Sequence, residues 1–312
     1  VFTETLRSRG VQVLHLRDLL TDVLEEPEAR RWVVERRVDE ETHGSMTDAF
    51  RGALMDMDSA PLARHLIGGM TVDELPFAAR GLVAASAEET DFVLPPLPNH
   101  LFTRDTSVWV YGGLLLSNMA LPARSQEIVH LRAIYHHHPR FADKVFRTWM
   151  GDYDHLYSPA TIEGGDVLVV GEGTVVVGIS QRTTPQAVEI LARALFDAGA
   201  AVRVMAVRIP PVRAYMHLDT VMTMVDRDAF CAFPGVAERL RAWSVRPDGE
   251  GGLDVRPEPS FFQALADALG VERVRVIATG GDEYQAEREQ WDDGNNVLAV
   301  EPGVVVGYDR NV

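Results

Sequence analysis

The segment His217-Leu218-Asp219 places an imidazole and a carboxylate two residues apart in the chain. We predict that this segment is a strand, in which residues i and i+2 face the same side, so that one face carries both groups. An imidazole beside a carboxylate suits proton transfer, and the carboxylate also suits the binding of a cation. Taken alone, the pair is more typical of a core histidine that a nearby aspartate satisfies.

Two further segments combine acidic residues with an expected turn before a strand. In residues 163–166, Glu163 and Asp166 flank two glycines, and glycine lets the backbone approach a ligand closely. In residues 99–105, Phe102 precedes Asp105 by three positions, a combination that suits stacking on and pairing with a planar cation. Neither segment is specific by itself, and the first is also an ordinary turn sequence.

Together the three segments indicate a binding site for a cation. A guanidinium is planar, carries five N–H donors and matches the geometry of carboxylates. The chain has one cysteine, Cys231, and no histidine pair at metal-ligand spacing, so a guanidinium fits this set better than zinc does. Calcium or magnesium remains an alternative, because carboxylates also suit hard cations. We interpret the run at 136–138, three adjacent histidines, as a polar loop before Pro139.

The overall composition excludes several classes of partner. The net charge of −16, from 46 acidic and 30 basic residues, disfavours a nucleic-acid binder, which needs clustered Lys and Arg. A single cysteine excludes a disulfide framework within this chain and favours a reduced, cytoplasmic setting. Since no run of about 18 apolar residues occurs, we expect no membrane span.

The elements that must position the site repeat along the chain. A polar residue is followed four times by an apolar run, a turn and a second apolar run; the four polar residues are Asp105, Asp166, Asp219 and Asn296. Such repetition predicts hairpin units around an axis, with the polar residues converging at one end of it. Asp and Asn also simply punctuate turns. We favour convergence because the residue opens a hairpin in every copy.

Other elements are predicted from their local patterns. Residues 21–90 are typical of helices: 59–61 resembles a helix start, 68–69 a helix stop, and Thr71 with Glu74 a capping box. We also predict a helix that ends at 9–10, a strand at 11–14, an amphipathic helix at 186–198 and a strand at 202–207.

The chain resembles the arginine deiminases. Residues 97–105, 162–166 and 216–220 are similar to three signature segments of that family in order and spacing, and 287–296 is similar to the segment before its last propeller unit. The resemblance implies an α/β fold, a pseudo-fivefold α/β propeller of ββαβ units with a helical insert, incomplete at both termini of this chain. The implied parts are 1–20 in the propeller, 21–95 as the insert and 96–312 as propeller units.

The resemblance also implies the activity and its residues. A cofactor-free and metal-free hydrolase converts L-arginine to L-citrulline and ammonia through a covalent cysteine intermediate. Asp105 and Asp219 clamp the guanidinium, Glu163 assists them and His217 moves protons. Five residues are implied to hold the substrate, the two arginines at its carboxylate: Asn99, Phe102, Arg124, Asp166 and Arg182. Arg124 and Arg182 are also typical of surface or helix-terminal arginines. We expect a cytoplasmic homo-oligomer that acts in arginine catabolism and binds neither nucleic acid nor membrane.

The nucleophile is the point at which this chain departs from the family pattern. The family uses a cysteine in a glycine-rich loop near the C-terminus, just after a histidine, and no such loop occurs in these 312 residues. In a hairpin that turns at 226–228, Cys231 pairs with Thr223 and lies on the order of 15–20 Å from His217. That is beyond the ~3 Å reach of a nucleophile and its base, so we expect Cys231 to be structural and this chain to be inactive by itself.

Rival functions remain from two classes. The guanidine-modifying superfamily also includes agmatine deiminases, dimethylarginine hydrolases and amidinotransferases, and the long helical insert favours an arginine deiminase. A non-catalytic propeller that binds a partner is the other alternative. The positions of the acids and of the histidine argue against it, because a binding protein does not need them.

Overall fold

The computed structural model describes residues 1–151, 157–237, 239–278 and 288–308. It is a mixed α/β protein that divides into two compact units. Unit 1 consists of Val1–Thr103 and Leu121–Val145, and unit 2 of Arg104–Ala120 and Phe146–Val312. Unit 1 thus contains 1–20, 96–103 and 121–145 besides the segment 21–95, and the division into propeller parts and a helical insert stays a prediction. No helix in the described ranges is long and apolar enough to cross a membrane.

The helices alternate with short strands along the chain. The α-helices are α1 (Phe2–Ser8), α2 (Leu16–Leu24), α3 (Pro27–Arg37), α4 (Glu40–His43), α5 (Thr47–Asp56), α6 (Ser59–Gly68), α7 (Leu82–Ser86), α8 (Thr103–Thr106), α9 (Pro122–His137), α10 (Pro139–Ala142), α11 (Pro185–Asp197), α12 (Pro234–Ala237) and α13 (Phe261–Leu269). Six 3-10 turns lie at Gly44–Met46, Val72–Glu74, Pro98–Leu101, Gly164–Asp166, Arg213–Tyr215 and Leu218–Thr220 among the described residues.

The strands belong to five sheets in the described part of the chain. They are β1 (Met70–Thr71), β2 (Phe92–Leu94), β3 (Ser107–Val110), β4 (Gly113–Leu116), β5 (Arg147–Met150), β6 (Val167–Gly171), β7 (Thr174–Ile179), β8 (Arg203–Arg208), β9 (Met222–Asp226), β10 (Ala229–Ala232), β11 (Arg241–Pro247), β12 (Leu253–Glu258), β13 (Arg275–Ala278), β14 (Leu298–Glu301) and β15 (Val304–Val306). Their orders are β1-β2, β3-β4-β5, β12-β11-β8-β7-β6, β13-β10-β9 and β14-β15.

Unit 1 is a helical body around its own apolar core. Its fully buried side chains include Leu20, Leu24, Phe50 and Leu62. Helix α6 has the predicted bounds, and the capping box of Thr71 with Glu74 is present at the head of a 3-10 turn. These local predictions are confirmed because caps and glycine stops act within a few residues of the chain.

Two predictions in unit 1 are wrong. Residues 11–14 follow α1 as irregular chain, and no described strand pairs with them, so an apolar run without a partner does not become a strand. His136 and His137 form the end of α9, and His138 caps it, so the three histidines are not a loop. The helix ends there because Pro139 disfavours helical backbone at the residue before it.

All four predicted hairpins of unit 2 are present. The pairs β3–β4, β6–β7, β9–β10 and β14–β15 are antiparallel, and Cys231 lies opposite Thr223 as predicted. In three of these hairpin repeats, the second strand also pairs in parallel with a later strand: β4 with β5, β7 with β8, and β10 with β13. A hairpin followed by a helical crossover and a parallel strand is the ββαβ pattern.

Helix α11, between β7 and β8, is an example of the helix in this ββαβ pattern. Thr184 caps its start by accepting a hydrogen bond from the amide of Ala187, and Pro185 occupies the first turn. The helix buries Val188, Leu191 and Leu195 at helical spacing against the strands of unit 2. The predicted helix at 186–198 and strand at 202–207 are thus confirmed to within a residue as α11 and β8.

The first strands of the hairpins share one cavity. Side chains of β3, β6, β9 and β14 line a space of about 1050 Å³, together with the side chain of Arg104. Each of these strands is preceded by one of the repeated polar residues, and Arg104 is the residue of the candidate site described below that also lines this cavity.

Candidate active site

The repeated aspartates lie in single helical turns immediately before the hairpins. Asp105 lies in α8, Asp166 ends the 3-10 turn Gly164–Asp166, and Asp219 lies in the turn Leu218–Thr220. The prediction that 217–219 is a strand is therefore wrong: only His217 has extended backbone, and it caps the turn that holds Asp219. A one-turn helix needs only a single i→i+3 bond, so it fits in the short connection before a strand.

The glycines of residues 163–166 allow these turns to pack against each other. A Cβ on Gly165 would lie 2.7 Å from Nδ1 of His217, and a Cβ on Gly164 would overlap the carbonyl oxygen of Arg104. The close approach predicted for a ligand is thus used by the protein itself in this structure, and glycine is required because any side chain would separate the turns.

His217 lies between two carboxylates from different units of the repeat. Its Nε2 is 2.8 Å from Oε2 of Glu163, and its Nδ1 is 3.6 Å from Oδ1 of Asp105. Glu163 is completely buried and His217 is 4% exposed, so the pair is shielded from solvent. The structure therefore brings three of the four predicted catalytic residues into direct contact or close to it.

The pKa values of this pair move in opposite directions. Burial lowers the pKa of His217, but the hydrogen bond to Glu163 and the charges of Asp166, Asp105 and Asp219 outweigh it and raise the pKa to about 9. Burial raises the pKa of Glu163, but the hydrogen bond and charge of His217 outweigh it and lower the pKa below its usual value. His217 is thus an imidazolium at neutral pH, which makes it a proton donor.

Several contacts hold Glu163 in place. Its Oε1 accepts a hydrogen bond of 3.1 Å from the amide of Ala120 and lies 3.6 Å from Nη1 of Arg182. The backbone amide of Glu163 donates to the hydroxyl of Thr183 at 3.2 Å. A carboxylate fixed in this way presents Oε2 to His217 in a single orientation.

Asp219 is the fourth predicted catalytic residue and is 5% exposed. Burial raises its pKa to about 6, against the opposing influence of the Arg104 guanidinium and of His217. Nε of Arg104 lies 3.4 Å from Oδ2 of Asp219. Asp219 also influences the pKa of His217, which places both in one electrostatic cluster.

Asp166 connects the turns that carry the other residues. Its Oδ1 accepts a hydrogen bond of 2.9 Å from the amide of Leu218, and its Oδ2 accepts one of 2.6 Å from the hydroxyl of Ser180. Burial raises the pKa of Asp166 to about 7. The role predicted for Asp166 is substrate binding, and its contacts in this structure are those of a side chain that fixes the backbone next to His217.

The predicted substrate residues of unit 1 have contacts of their own. Arg124 is buried and forms a two-pronged ion pair with Glu127, with distances of 2.9 and 2.8 Å, and it donates to the carbonyl of Asn99 at 3.2 Å. Asn99 is exposed, and Phe102 is 52% exposed. Their roles toward a substrate remain predictions.

Cys231 lies in β10 and is nearly buried. Its Sγ is 3.8 Å from the carbonyl oxygen of Gly294, and burial raises the pKa of the thiol. It packs with Val225, Ala229 and Val297. A buried thiol with a raised pKa is a poor nucleophile, in line with the structural role predicted for it.

The cluster combines carboxylates with cationic side chains. Four carboxylates and three cationic side chains make it up: Asp105, Glu163, Asp166 and Asp219 against Arg104, Arg182 and His217. No group of three His, Cys, Asp or Glu residues within the described ranges has the arrangement of a metal site. What the arrangement supplies is a proton donor beside carboxylates that can pair with a planar cation.

Three residues of this network were not singled out in the sequence analysis. Arg104 stands next to Asp105 within residues 99–105, and Ser180 and Thr183 follow β7. Their contacts to Asp219, Asp166 and Glu163 are made across 14 to 115 positions of sequence, so no local pattern reveals them. The nearest available signal is that Ser180 and Thr183 flank Arg182, which the family resemblance indicated.

The fold and this cluster define an α/β protein with a buried acid–histidine site. The family comparison is more specific: the sequence model described as arginine deiminase matches residues 1–312, so the chain belongs to the arginine deiminase family. Residues 287–296, which are similar to a segment of this family, begin at a residue outside the described part of the chain.

Solved structures with distant similarity to this chain include DDAH, ArgZ and AgrE. A cysteine variant of DDAH from Pseudomonas aeruginosa, complexed with citrulline, has 17% identity and a TM-score of 0.43 over 70% of this chain and 66% of that chain. The N-terminal domain of ArgZ, an arginine dihydrolase of cyanobacteria, has 14% identity and a TM-score of 0.45 over 69% of this chain and 64% of that chain. A cysteine variant of AgrE in complex with L-arginine has 17% identity and a TM-score of 0.46 over 69% of this chain and 26% of that chain. The chain thus spans about a quarter of AgrE.

Proposed function

We propose that this protein is an arginine deiminase, which hydrolyses L-arginine to L-citrulline and ammonia. The observation that carries the proposal is the position of His217 between Glu163 and Asp105, 2.8 and 3.6 Å away, with Asp219 in the same buried cluster. A hydrolysis that expels ammonia needs a proton donor at the leaving nitrogen and anionic groups around a cationic carbon. Membership of the arginine deiminase family supports this choice of reaction.

In the proposed mechanism, Asp105 and Asp219 pair with the guanidinium and Glu163 assists them. The thiolate of a cysteine from outside these 312 residues adds to the guanidinium carbon and forms a tetrahedral adduct. His217, as the imidazolium, donates a proton to the departing nitrogen, and the C–N bond breaks to release ammonia. The product of this half-reaction is an S-alkylthiouronium with neutral His217.

In the second half-reaction, neutral His217 accepts a proton from water as the water oxygen bonds to the same carbon. The C–S bond then breaks, which regenerates the thiolate and leaves protonated citrulline, whose extra proton passes to solvent. His217 is again the imidazolium. The carboxylates stabilise positive charge on the reacting carbon in both half-reactions, and this stabilisation does not require a metal.

The remaining substrate contacts are part of the same proposal. Asn99, Phe102 and Asp166 help to hold the substrate, and Arg124 and Arg182 bind its carboxylate. For Arg182, the proximity to Glu163 supports a position in the site. For Arg124, pairing with substrate requires that its guanidinium be shared with Glu127.

We also propose that unit 2 is built as an α/β propeller of pseudo-fivefold symmetry. Support comes from three ββαβ arrangements and a fourth hairpin, β14–β15. A further support is that β3, β6, β9 and β14, the first strands of successive hairpins, line one cavity. Strands around a common space are what rotation of a repeated unit about an axis produces.

The reaction is tested by analysis of the products formed by a protein that contains residues 1–312 together with the nucleophilic cysteine. L-Arginine should yield equal amounts of citrulline and ammonia, with far lower rates on agmatine, dimethylarginine, or arginine with an amine acceptor. The 312-residue chain should yield no citrulline, because it has no nucleophile at the site. Preference for one of the other substrates would replace the proposal by that rival activity, and turnover by the 312-residue chain would refute the mechanism.

A further inference from the structure

Arg104 is a cationic side chain that already lies against the predicted guanidinium clamp. Its Nε is 3.4 Å from Oδ2 of Asp219, and its Nη2 donates to the carbonyl of Val167 at 3.2 Å. The side chain of Asp219 is 6% exposed and that of Arg104 is 38% exposed. Nε of Arg104 itself is buried and has no hydrogen-bond partner among the residues that the structure describes, so its contact with Asp219 is electrostatic.

We propose that Arg104 is a positioning residue that holds Asp219 charged and aimed for an incoming guanidinium. This inference rests on the proposed function, because it assigns Asp219 to the guanidinium clamp. Arg104 acts through Asp219 and need not touch the substrate.

The surroundings of Asp219 explain why it needs a resident cation. Burial is the strongest influence on its pKa and raises it, and the carboxylates of Asp105 and Asp293 raise it further. Two cationic groups lower the pKa of Asp219: Arg104 from α8, and His217, which lies two positions before Asp219 in the chain. His217 is engaged with Glu163, so Arg104 is the cation whose contact is directed at Asp219. Without it, Asp219 would bind a proton at higher pH and lose the charge that attracts the substrate.

The backbone and the side chain of Arg104 are both fixed. Its carbonyl oxygen packs against Gly164, where no Cβ fits, and its Nη2 is anchored on Val167 at the start of β6. A planar guanidinium with two separate anchoring points keeps one orientation, which a lysine ammonium does not. This rigidity separates a positioning role from that of a mobile surface arginine.

A competing interpretation predicts the opposite outcome. If Arg104 occupied the place of the substrate guanidinium, its removal would free Asp219 and tighten arginine binding at every pH. If Arg104 only supported the fold, its removal would weaken binding equally at every pH. The positioning role alone predicts that the pH dependence itself changes.

The experiment compares the 312-residue chain with its Arg104→Met, Arg104→Gln and Arg104→Lys variants. The dissociation constant for L-arginine is measured by calorimetry between pH 5.5 and 8.5. In Arg104→Met and Arg104→Gln, we expect the pKa of Asp219 to rise by at least about one unit, so that affinity falls about fivefold or more at pH 6 and recovers by pH 8.5. Arg104→Lys should retain most of the wild-type pH dependence. Tighter binding or a uniform loss in both neutral variants would overturn the inference.

A second measurement keeps the inference separate from the proposed function. Carbon-13 NMR of labelled aspartate carboxyls, with Asp219→Asn used for assignment, reports the titration of Asp219 without any ligand. A raised midpoint in Arg104→Met or Arg104→Gln supports the inference even if wild type fails to bind L-arginine, a result that would refute the proposed function. An unchanged midpoint in folded protein would refute the inference alone.

Discussion

His217 and Glu163 form a buried pair in which Nε2 of the imidazole lies 2.8 Å from Oε2 of the carboxylate. Glu163 comes from the turn before β6 and His217 from the turn before β9, so two repeats meet at this bond. Glu163 is held by Ala120 and Thr183, and its fixed position determines the orientation of the imidazole.

Replacement of Glu163 by Gln should lower the pKa of His217. In the wild type, burial lowers this pKa, but the hydrogen bond to Glu163 and the charges of three aspartates outweigh it and raise the pKa from 6.5 to about 9. The imidazolium therefore stabilises the fold fully below pH 6.5, and the contribution is lost as pH rises through 9. In Glu163→Gln the midpoint should fall by about one to three units, since an anionic partner is removed. NMR titration of the His217 ring protons measures it, and a midpoint unchanged from wild type would contradict the pairing.

Replacement of Gly165 by Ala should displace His217. The added Cβ would lie 2.7 Å from Nδ1 and 3.0 Å from Cβ of His217, so the imidazole must move. Overpacking of this kind costs about 1–3 kcal/mol in the free energy of unfolding. Urea denaturation measures the loss, and arginine binding should weaken with it.

The matched control for Gly165 is Gly52→Ala in α5, where no atom of the described residues lies within 4 Å of the new Cβ. Alanine has the higher helix propensity, so this variant should gain about 0.5–1 kcal/mol. If Gly165→Ala is as stable as Gly52→Ala and keeps arginine binding, the close packing of the turns has no functional consequence.

Replacement of Cys231 by Ala should leave the site unaffected. The thiol packs in β10 with Val225 and Val297, and its removal should cost about 1 kcal/mol of stability or less. In a protein that has its nucleophile, turnover of arginine should stay within about twofold of wild type. Well-folded but inactive Cys231→Ala protein would show that this thiol takes part in the reaction.

A second buried pair, in unit 1, should make the protein sensitive to acid. His100 Nε2 lies 2.9 Å from His130 Nδ1. Burial lowers the pKa of His100 to about 4 and that of His130 well below 6.5, helped by the charge of Arg37. The unfolded chain thus binds more protons between pH 6.5 and 4, and stability present above pH 6.5 is lost as pH falls through that range.

His130→Gln isolates this effect. Each imidazole contributes up to about 1.4 kcal/mol per pH unit to the slope, so the variant should lose less stability than wild type between pH 6.5 and 4. Denaturant titrations at several pH values give the slopes, with exposed His15→Gln as the control. Equal slopes in all three proteins would mean that the pair is not the origin of acid sensitivity.

The hairpins were predictable from the sequence because strand pairing across a short turn depends on neighbouring residues. The valine-rich runs on either side of 171–173 formed β6 and β7, and the predicted pairing of Cys231 with Thr223 is confirmed. The strand at 11–14 is wrong because a strand depends on a partner that local sequence does not reveal.

The site itself was only partly predictable. The sequence predicts that His217 and Asp219 share one face of a strand, whereas a one-turn helix brings them into the same cluster. Arg104 was missed because its contact with Asp219 joins residues 115 positions apart, and such contacts are properties of packing. Asp166 carried a recognisable signal, but its bonds to Leu218 and Ser180 appear only in three dimensions.

The most direct test of the account is a calorimetric titration of L-arginine into wild type, Asp219→Asn and the exposed-site control Asp197→Asn, with L-citrulline as the uncharged comparison ligand. We expect wild type and Asp197→Asn to bind L-arginine alike and L-citrulline far more weakly, because the carboxylates recognise a cation. Asp219→Asn should lose about 2–5 kcal/mol of binding free energy, since it removes one partner of a buried charge pair. Equal binding of arginine by Asp219→Asn and wild type, or no preference for arginine over citrulline, would contradict the assignment of this cluster as a guanidinium site.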